Sequence, residues 1–323
     1  MIGASTLGSG YRRANVLKIG EIPMTGPSMH ENDEQELLRR LEDLVARRAL
    51  TDRLMGSAWM LIPVLPILLV IALVAGFVQA IMPMVPNLRG LQGSAASSSL
   101  LAQLVGVYAL AIVSLYAALF LLSLALYYLI DRRNNHFKRQ QLLFKTLVKY
   151  LETETKAKSA HPSTTRLAEL CEDSMFDEQG RSAGIWTILN LFVTPMVSLI
   201  VAFNLTQDLC KHDLRQIDFQ ETLISALAEI GVTLPSSVNL KPLKRDTILL
   251  LLLTIITGGL FWIYWFHILL KDYNEHFANQ ALFEDKLLAA LKPTQQVKKC
   301  GTCGGSIPEN ARFCPFCGKP QTS

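Results

Sequence analysis

At 323 residues, half hydrophobic and only 18% charged, the chain is too apolar for an ordinary soluble protein of its size. Its net charge of +4 does not call for nucleic acid, because basic residues beside membrane segments account for it. Six cysteines, four of them gathered in the tail, exclude a disulfide-rich secreted domain.

Residues 1–30 are rich in Gly, Ser and Pro, hold no apolar core of signal-peptide length, and are expected to form a disordered tail. In 31–56, Leu37, Leu38, Leu41, Leu44 and Val45 recur at helical spacing between charges, which predicts an amphipathic helix. Four uncharged runs follow, at 54–86, 98–130, 182–207 and 247–270. Each is longer than the ~20 residues that cross a hydrocarbon core. Small residues at 94–99 predict a loop between the first two runs. Trp59 and Trp186 open spans, and Trp262 and Trp265 are expected at the interfacial end of the fourth.

One stretch occurs twice. Residues 134–151 read NNHFKRQQLLFKTLVKYL, and 274–291 read NEHFANQALFEDKLLAAL, a constant 140 positions later. Asn134, His136, Phe137, Gln140, Leu142, Leu147 and Leu151 recur as Asn274, His276, Phe277, Gln280, Leu282, Leu287 and Leu291. Each copy follows an apolar run. The pattern predicts an all-α integral membrane protein with four transmembrane helices in two tandem two-helix repeats. The first repeat is 57–157, with spans at about 60–84 and 103–130 and an exit helix at 134–157. The second is 158–292, with spans at about 184–206 and 247–270 and an exit helix at 274–291. Phe137, Leu143, Leu147 and Leu151 line one face of the first exit helix, matched by Phe277, Phe283, Leu287 and Leu291, so the two are expected to pair with each other or with the 31–56 helix. His136 and His276 fall at matching positions. Two imidazoles fall short of a metal site, and they read as polar tips at the interface.

Arg39, Arg40, Arg47, Arg48 and Arg53 precede the first span, and Arg132, Arg133, Lys138, Arg139, Lys145 and Lys149 follow the second. The positive-inside rule then places both termini in the cytoplasm of a multi-pass cell-membrane protein. Lys241, Lys244 and Arg245 conflict with this, because four spans put them outside.

Around the last run stand Arg245, Gly258, Gly259, Tyr264, Trp265, Asp272, Asn274 and His276. With them, 243–277 resembles a prokaryotic multi-pass membrane family of no established activity, which implies a membrane location and no mechanism.

After a linker at 293–299 come Cys300-Gly-Thr-Cys303 and Cys314-Pro-Phe-Cys317, with Gly304 and Gly318 following each pair. Two CxxC pairs present four thiolates in two knuckles, the ligand set of a closed, structural, tetrahedral zinc site. Residues 300–318 resemble the double-knuckle zinc-ribbon family. A closed site leaves no position for catalysis, and reduced thiolates point to the cytosol.

No GxxxxGK[ST], HExxH or GxSxG motif occurs, and no Asp, Glu, Lys or Arg lies inside the four runs. The chain is therefore expected to be no enzyme. It reads as a bilayer-anchored scaffold or adaptor, whose cytoplasmic ribbon contacts a cytosolic protein rather than nucleic acid. The alternative is a channel or transporter for an uncharged or lipidic solute, as a homo-oligomer, along a path lined by Asn190, Asn204 and His267.

Overall fold

The computed structural model describes residues 29–82, 94–156, 162–234, 242–292, 297–308 and 312–320. The expected N-terminal tail, up to residue 28, lies outside them, as do 293–296 of the linker. Among the described residues the chain is helical, apart from a two-stranded sheet in the tail.

Helix α1 (Met29–Ala46) buries Leu37, Leu41, Leu44 and Val45 on one face, as the spacing predicts, and a short α2 (Arg48–Thr51) follows. A 3-10 turn (Ser57–Met60) leads into α3 (Leu61–Ile81). Its 21 residues reach about 31 Å at 1.5 Å each, the thickness of a hydrocarbon core. Helix α4 (Ser94–Lys156) is a single helix of 63 residues. The small residues 94–99 begin it instead of forming a loop, and the expected span and exit helix are continuous because no Gly or Pro interrupts 130–134. Helix α5 (Pro162–Asp177) then leads back to the third apolar run.

The third and fourth runs are not single helices. Helix α6 (Ala183–Phe192) stops before a cis Thr194–Pro195 bond, and α7 (Met196–Glu229) starts beyond it. Proline cannot continue the helix before it. Helix α8 (Thr247–Ile256) ends at Gly258 and Gly259, with φ of 59° and 93°, and α9 (Trp262–Leu291) follows. Glycine adopts that left-handed turn without strain, so the chain doubles back there. Ser182 and Asp246 cap α6 and α8 in the same way, each accepting from the backbone N–H three residues on. With 10 residues each, α6 and α8 reach about 15 Å, half of a hydrocarbon core.

Among the described residues, two stretches are thus long and apolar enough to cross a membrane, at Ser57–Gln79 and within Val105–Glu154. Only 6% of the first is buried in the molecule, so it is no core helix of a soluble protein. Phe77, Val113, Phe120, Phe192, Ile248 and Ile256 are among the large apolar side chains left exposed on α3, α4, α6 and α8. An apolar surface of this extent points to membrane association. Trp265, by contrast, is fully buried and donates its indole N–H to Thr206 Oγ1 at 3.0 Å. It packs the core instead of marking an interface.

The two hairpins expected from the 140-residue offset have a third partner between them. Helices α4, α7 and α9 each carry His-x-x-x-Gln: His136 and Gln140, His212 and Gln216, His276 and Gln280. Equivalent buried residues follow in register: Leu143, Phe219 and Phe283, then Leu147, Leu223 and Leu287, then Leu151, Leu227 and Leu291. These nine side chains form one apolar core with the inner face of α1. A second core, with Leu126, Leu129, Val201, Leu205, Trp265 and Tyr273, draws mainly on the apolar runs. The histidines and glutamines form a polar layer between the two.

The three hairpins also grip one another. Asn134 accepts from Arg181 N and donates to its carbonyl, ahead of α6. Asn274 does the same to Met55, ahead of α3. At the matching position of α7, the Cys210 thiol meets the backbone of Arg245, ahead of α8. Each long helix therefore holds the segment that leads into another hairpin's apolar helix, around a closed ring of three.

Candidate metal centres

In the tail, β1 (Val297–Lys299) pairs antiparallel with β2 (Ser306–Pro308) and frames the first knuckle. Cys300 N donates to Gly305 O, and Gly304 N returns to Cys300 O. The second knuckle repeats this between Cys314, Lys319 and Gly318. Gly304 and Gly318 have φ of 70° and 71°, the turn that lets each loop close under its sulfurs. Cys300 Sγ lies 3.7 Å from Cys317 Sγ, and Cys303 Sγ 3.6 Å from Cys314 Sγ. An ion about 2.3 Å from each of four tetrahedral sulfurs separates them by about 3.8 Å. The four cysteines named from the sequence are thus brought together and fit a metal ion.

A second cluster lies in the polar layer of the helical body. The imidazoles of His136, His212 and His276 form a near-equilateral triangle, with ring centroids 5.4, 5.1 and 5.1 Å apart. All three rings are buried. His136 Nε2 lies 3.2 Å from His276 Nε2, and one ligand atom from each ring lies within 4.8 Å of the others. On the far side of each ring stands a carboxylate: Asp52 at 3.0 Å from His136 Nδ1, Glu178 at 2.9 Å from His212 Nδ1 and Asp213 at 3.1 Å from His276 Nδ1. The Asp213 contact is aligned as a hydrogen bond. The other two are at contact distance with the N–H off line, and neither nitrogen of His212 has an aligned partner among the described residues. Burial pushes His136 down to about 3 against the pull of Asp52, and lowers His276 as well, so both rings are neutral at physiological pH.

Buried arginines surround this layer. Arg139 bridges Asp52 at 2.7 Å and Glu284 at 2.9 Å. Arg133 pairs with Asp208 at 3.0 Å and lies over the Phe137 ring. Arg132 donates to Leu269 O and Asn274 Oδ1 and lies over Tyr273. Arg181 pairs with Asp208 and Arg245 with Asp272, at equivalent places in the second and third hairpins.

The reading of His136 and His276 as interfacial tips does not hold, since both rings are buried. Sequence reasoning missed His212 because its neighbourhood, KHDLRQIDFQ, keeps only the His and Gln of the repeated pattern. A search for that pair on every predicted helix would have found it. Two of the polar residues expected to line a solute path, Asn190 and His267, stand in different surroundings. Asn190 is fully buried, donating to Ser123 Oγ and accepting from Ser198, while His267 is exposed beside Tyr264. Compared with family models, curated proteins and solved structures, the chain matches none.

Proposed function

We propose that the chain is a membrane-anchored adaptor that presents a cytoplasmic zinc ribbon to a protein partner. The observation that carries this is the closed knot of four sulfurs with Phe313 and Phe316 on its outside, 65% and 72% exposed. Four thiolates satisfy a tetrahedral ion and leave no open coordination position, so the module holds a surface instead of doing chemistry. Two exposed aromatic rings on so small a module are the kind of anchor that protein interfaces use. Arg312 and Lys319 beside them favour a partner with acidic groups at its rim. Deleting 293–323 is expected to remove the adaptor's partners from a crosslinked pull-down, and Phe316→Ala to weaken capture at least tenfold. Identical partner sets from full-length and truncated chains would remove the ribbon from this account.

In this reading α3 and the first half of α4 cross the bilayer, while α6–α7 and α8–α9 enter half-way and turn back. The 10-residue lengths of α6 and α8 support it, as does the basic flank at Lys244 and Arg245. Four full spans would put those cations outside. Two half-depth hairpins return them to the side of the other arginines, in accord with the positive-inside rule. A cysteine introduced at Lys244 is expected to react with a membrane-impermeant maleimide only after the cells are opened. Labelling of intact cells would reinstate four spans.

A further inference from the structure

We propose that His136, His212 and His276 together hold one divalent transition-metal ion of the zinc class, where the three long helices leave the membrane. The site stands apart from the thiolate knot and does not depend on the adaptor reading.

Distance is the first argument. Tetrahedral zinc with nitrogen ligands at about 2.0–2.1 Å sets neighbouring nitrogens about 3.3 Å apart. His136 Nε2 and His276 Nε2 stand at 3.2 Å, and His212 offers a ring nitrogen within 4.8 Å of both.

The second argument is the carboxylate behind each ring. An ionised carboxylate only accepts, so Asp213, aligned with His276 Nδ1, holds the proton there and leaves that ring's Nε2 lone pair facing inward, while Asp52 and Glu178 stand at contact distance behind the other two rings. A cation at the centre of the triangle satisfies inward-facing lone pairs on all three buried rings at once. Two of the carboxylates come from equivalent places, and the third does not. Asp52 and Glu178 each lie three residues before the clamped backbone positions, Met55 and Arg181. The third hairpin has Pro242 there, three residues before Arg245. Its place is taken by Asp213, which reaches across from α7 to His276 and also accepts from Leu243 N. The imidazole–carboxylate pair is kept while its source changes.

Third, the glutamine layer leaves room beside the rings. A cavity of about 10 Å³, the scale of a single water, is bounded by Gln140, Glu178, His212 and Gln216. Neither end of the fully buried Gln140 amide has a hydrogen-bond partner among the described residues. A solvent molecule there would hydrogen-bond the Gln140 amide beside the His212 ring.

The test uses the full chain in detergent, equilibrated with Zn²⁺ and then gel-filtered. Two zinc ions per chain are expected by elemental analysis, falling to one in His212→Ala and to one in Cys314→Ser. With Co²⁺ as probe, Cys314→Ser is expected to keep weak visible bands without thiolate charge transfer, and His212→Ala to lose those bands alone. One ion per chain in the wild type, or an unchanged count in His212→Ala, would overturn the proposal. Should His212→Ala fail to fold, Glu178→Gln decides. It keeps the ring and its size, and is expected to weaken Zn²⁺ at this site 10- to 100-fold while helix content by circular dichroism stays constant. Unchanged affinity in that variant would also overturn the proposal. Failure of the adaptor reading shows elsewhere, in the pull-down with and without 293–323.

Discussion

Replacing Arg139 by Met is expected to destabilise the helical body by about 3–5 kcal/mol, the usual cost of stripping one partner from a buried ion pair. Arg139 joins Asp52, in the segment before α3, to Glu284 on α9, with all three side chains at most 3% exposed. Methionine fills much of the volume but leaves two carboxylates in a dry layer. Arg48, a quarter exposed, reaches Glu284 only at 3.6 Å and cannot replace the lost contact. Burial already pushes Glu284 above the usual carboxylate range, and Arg139 opposes that push. Without the arginine, Glu284 rises further. An acid whose folded pKa exceeds its unfolded one costs nothing while protonated in both states, and lowers stability as pH rises through the folded value. The deficit of Arg139→Met should therefore shrink between pH 8 and pH 5.5, and adding Glu284→Gln should recover part of it at pH 8. Denaturant unfolding in detergent, followed by circular dichroism, measures both. A deficit under 1 kcal/mol that is flat with pH would mean the bridge is not formed.

What the sequence disclosed depended on how local each signal is. Leu37, Leu41 and Leu44 point inward because a 3.6-residue period admits one apolar face, and α1 buries them. The four thiolates were legible because CxxC fixes two sulfurs at a time within one loop. The third and fourth apolar runs misled, because hydropathy measures how far a run extends and not whether its helix is continuous. Pro195 and the Gly258–Gly259 pair were in plain view, but an uncharged run does not show that the chain turns back at them. Lys244 and Arg245 were the residues that fitted four full spans least. The histidine triangle was the least legible feature. Its rings come from three helices, and their carboxylates from a pre-helical segment, the end of α5 and α7. Only the closure of three hairpins into a ring puts Asp52, Glu178 and Asp213 behind His136, His212 and His276.

Cys314→Ser is expected to unfold the tail without loosening the helical body. The described part of the ribbon, 297–308 and 312–320, buries only Cys300 and Cys314 as a core, together with a sheet of three residues per strand. So small a module has no apolar interior able to offset the entropy of ordering its chain. With a zinc ion in the knot, its folding free energy would be the metal's binding free energy, about 10–16 kcal/mol for a structural zinc site at neutral pH. A serine at 314 supplies no thiolate and opens one corner of the tetrahedron. Limited proteolysis should then cut within 297–320 at the rate of an unfolded segment, and a chelator should bring the wild type to the same rate. The midpoint of helix loss in denaturant should stay where it is, because the two apolar cores of the body share no residue with the knot. A ribbon that resists protease after both treatments would draw its stability from something other than an ion.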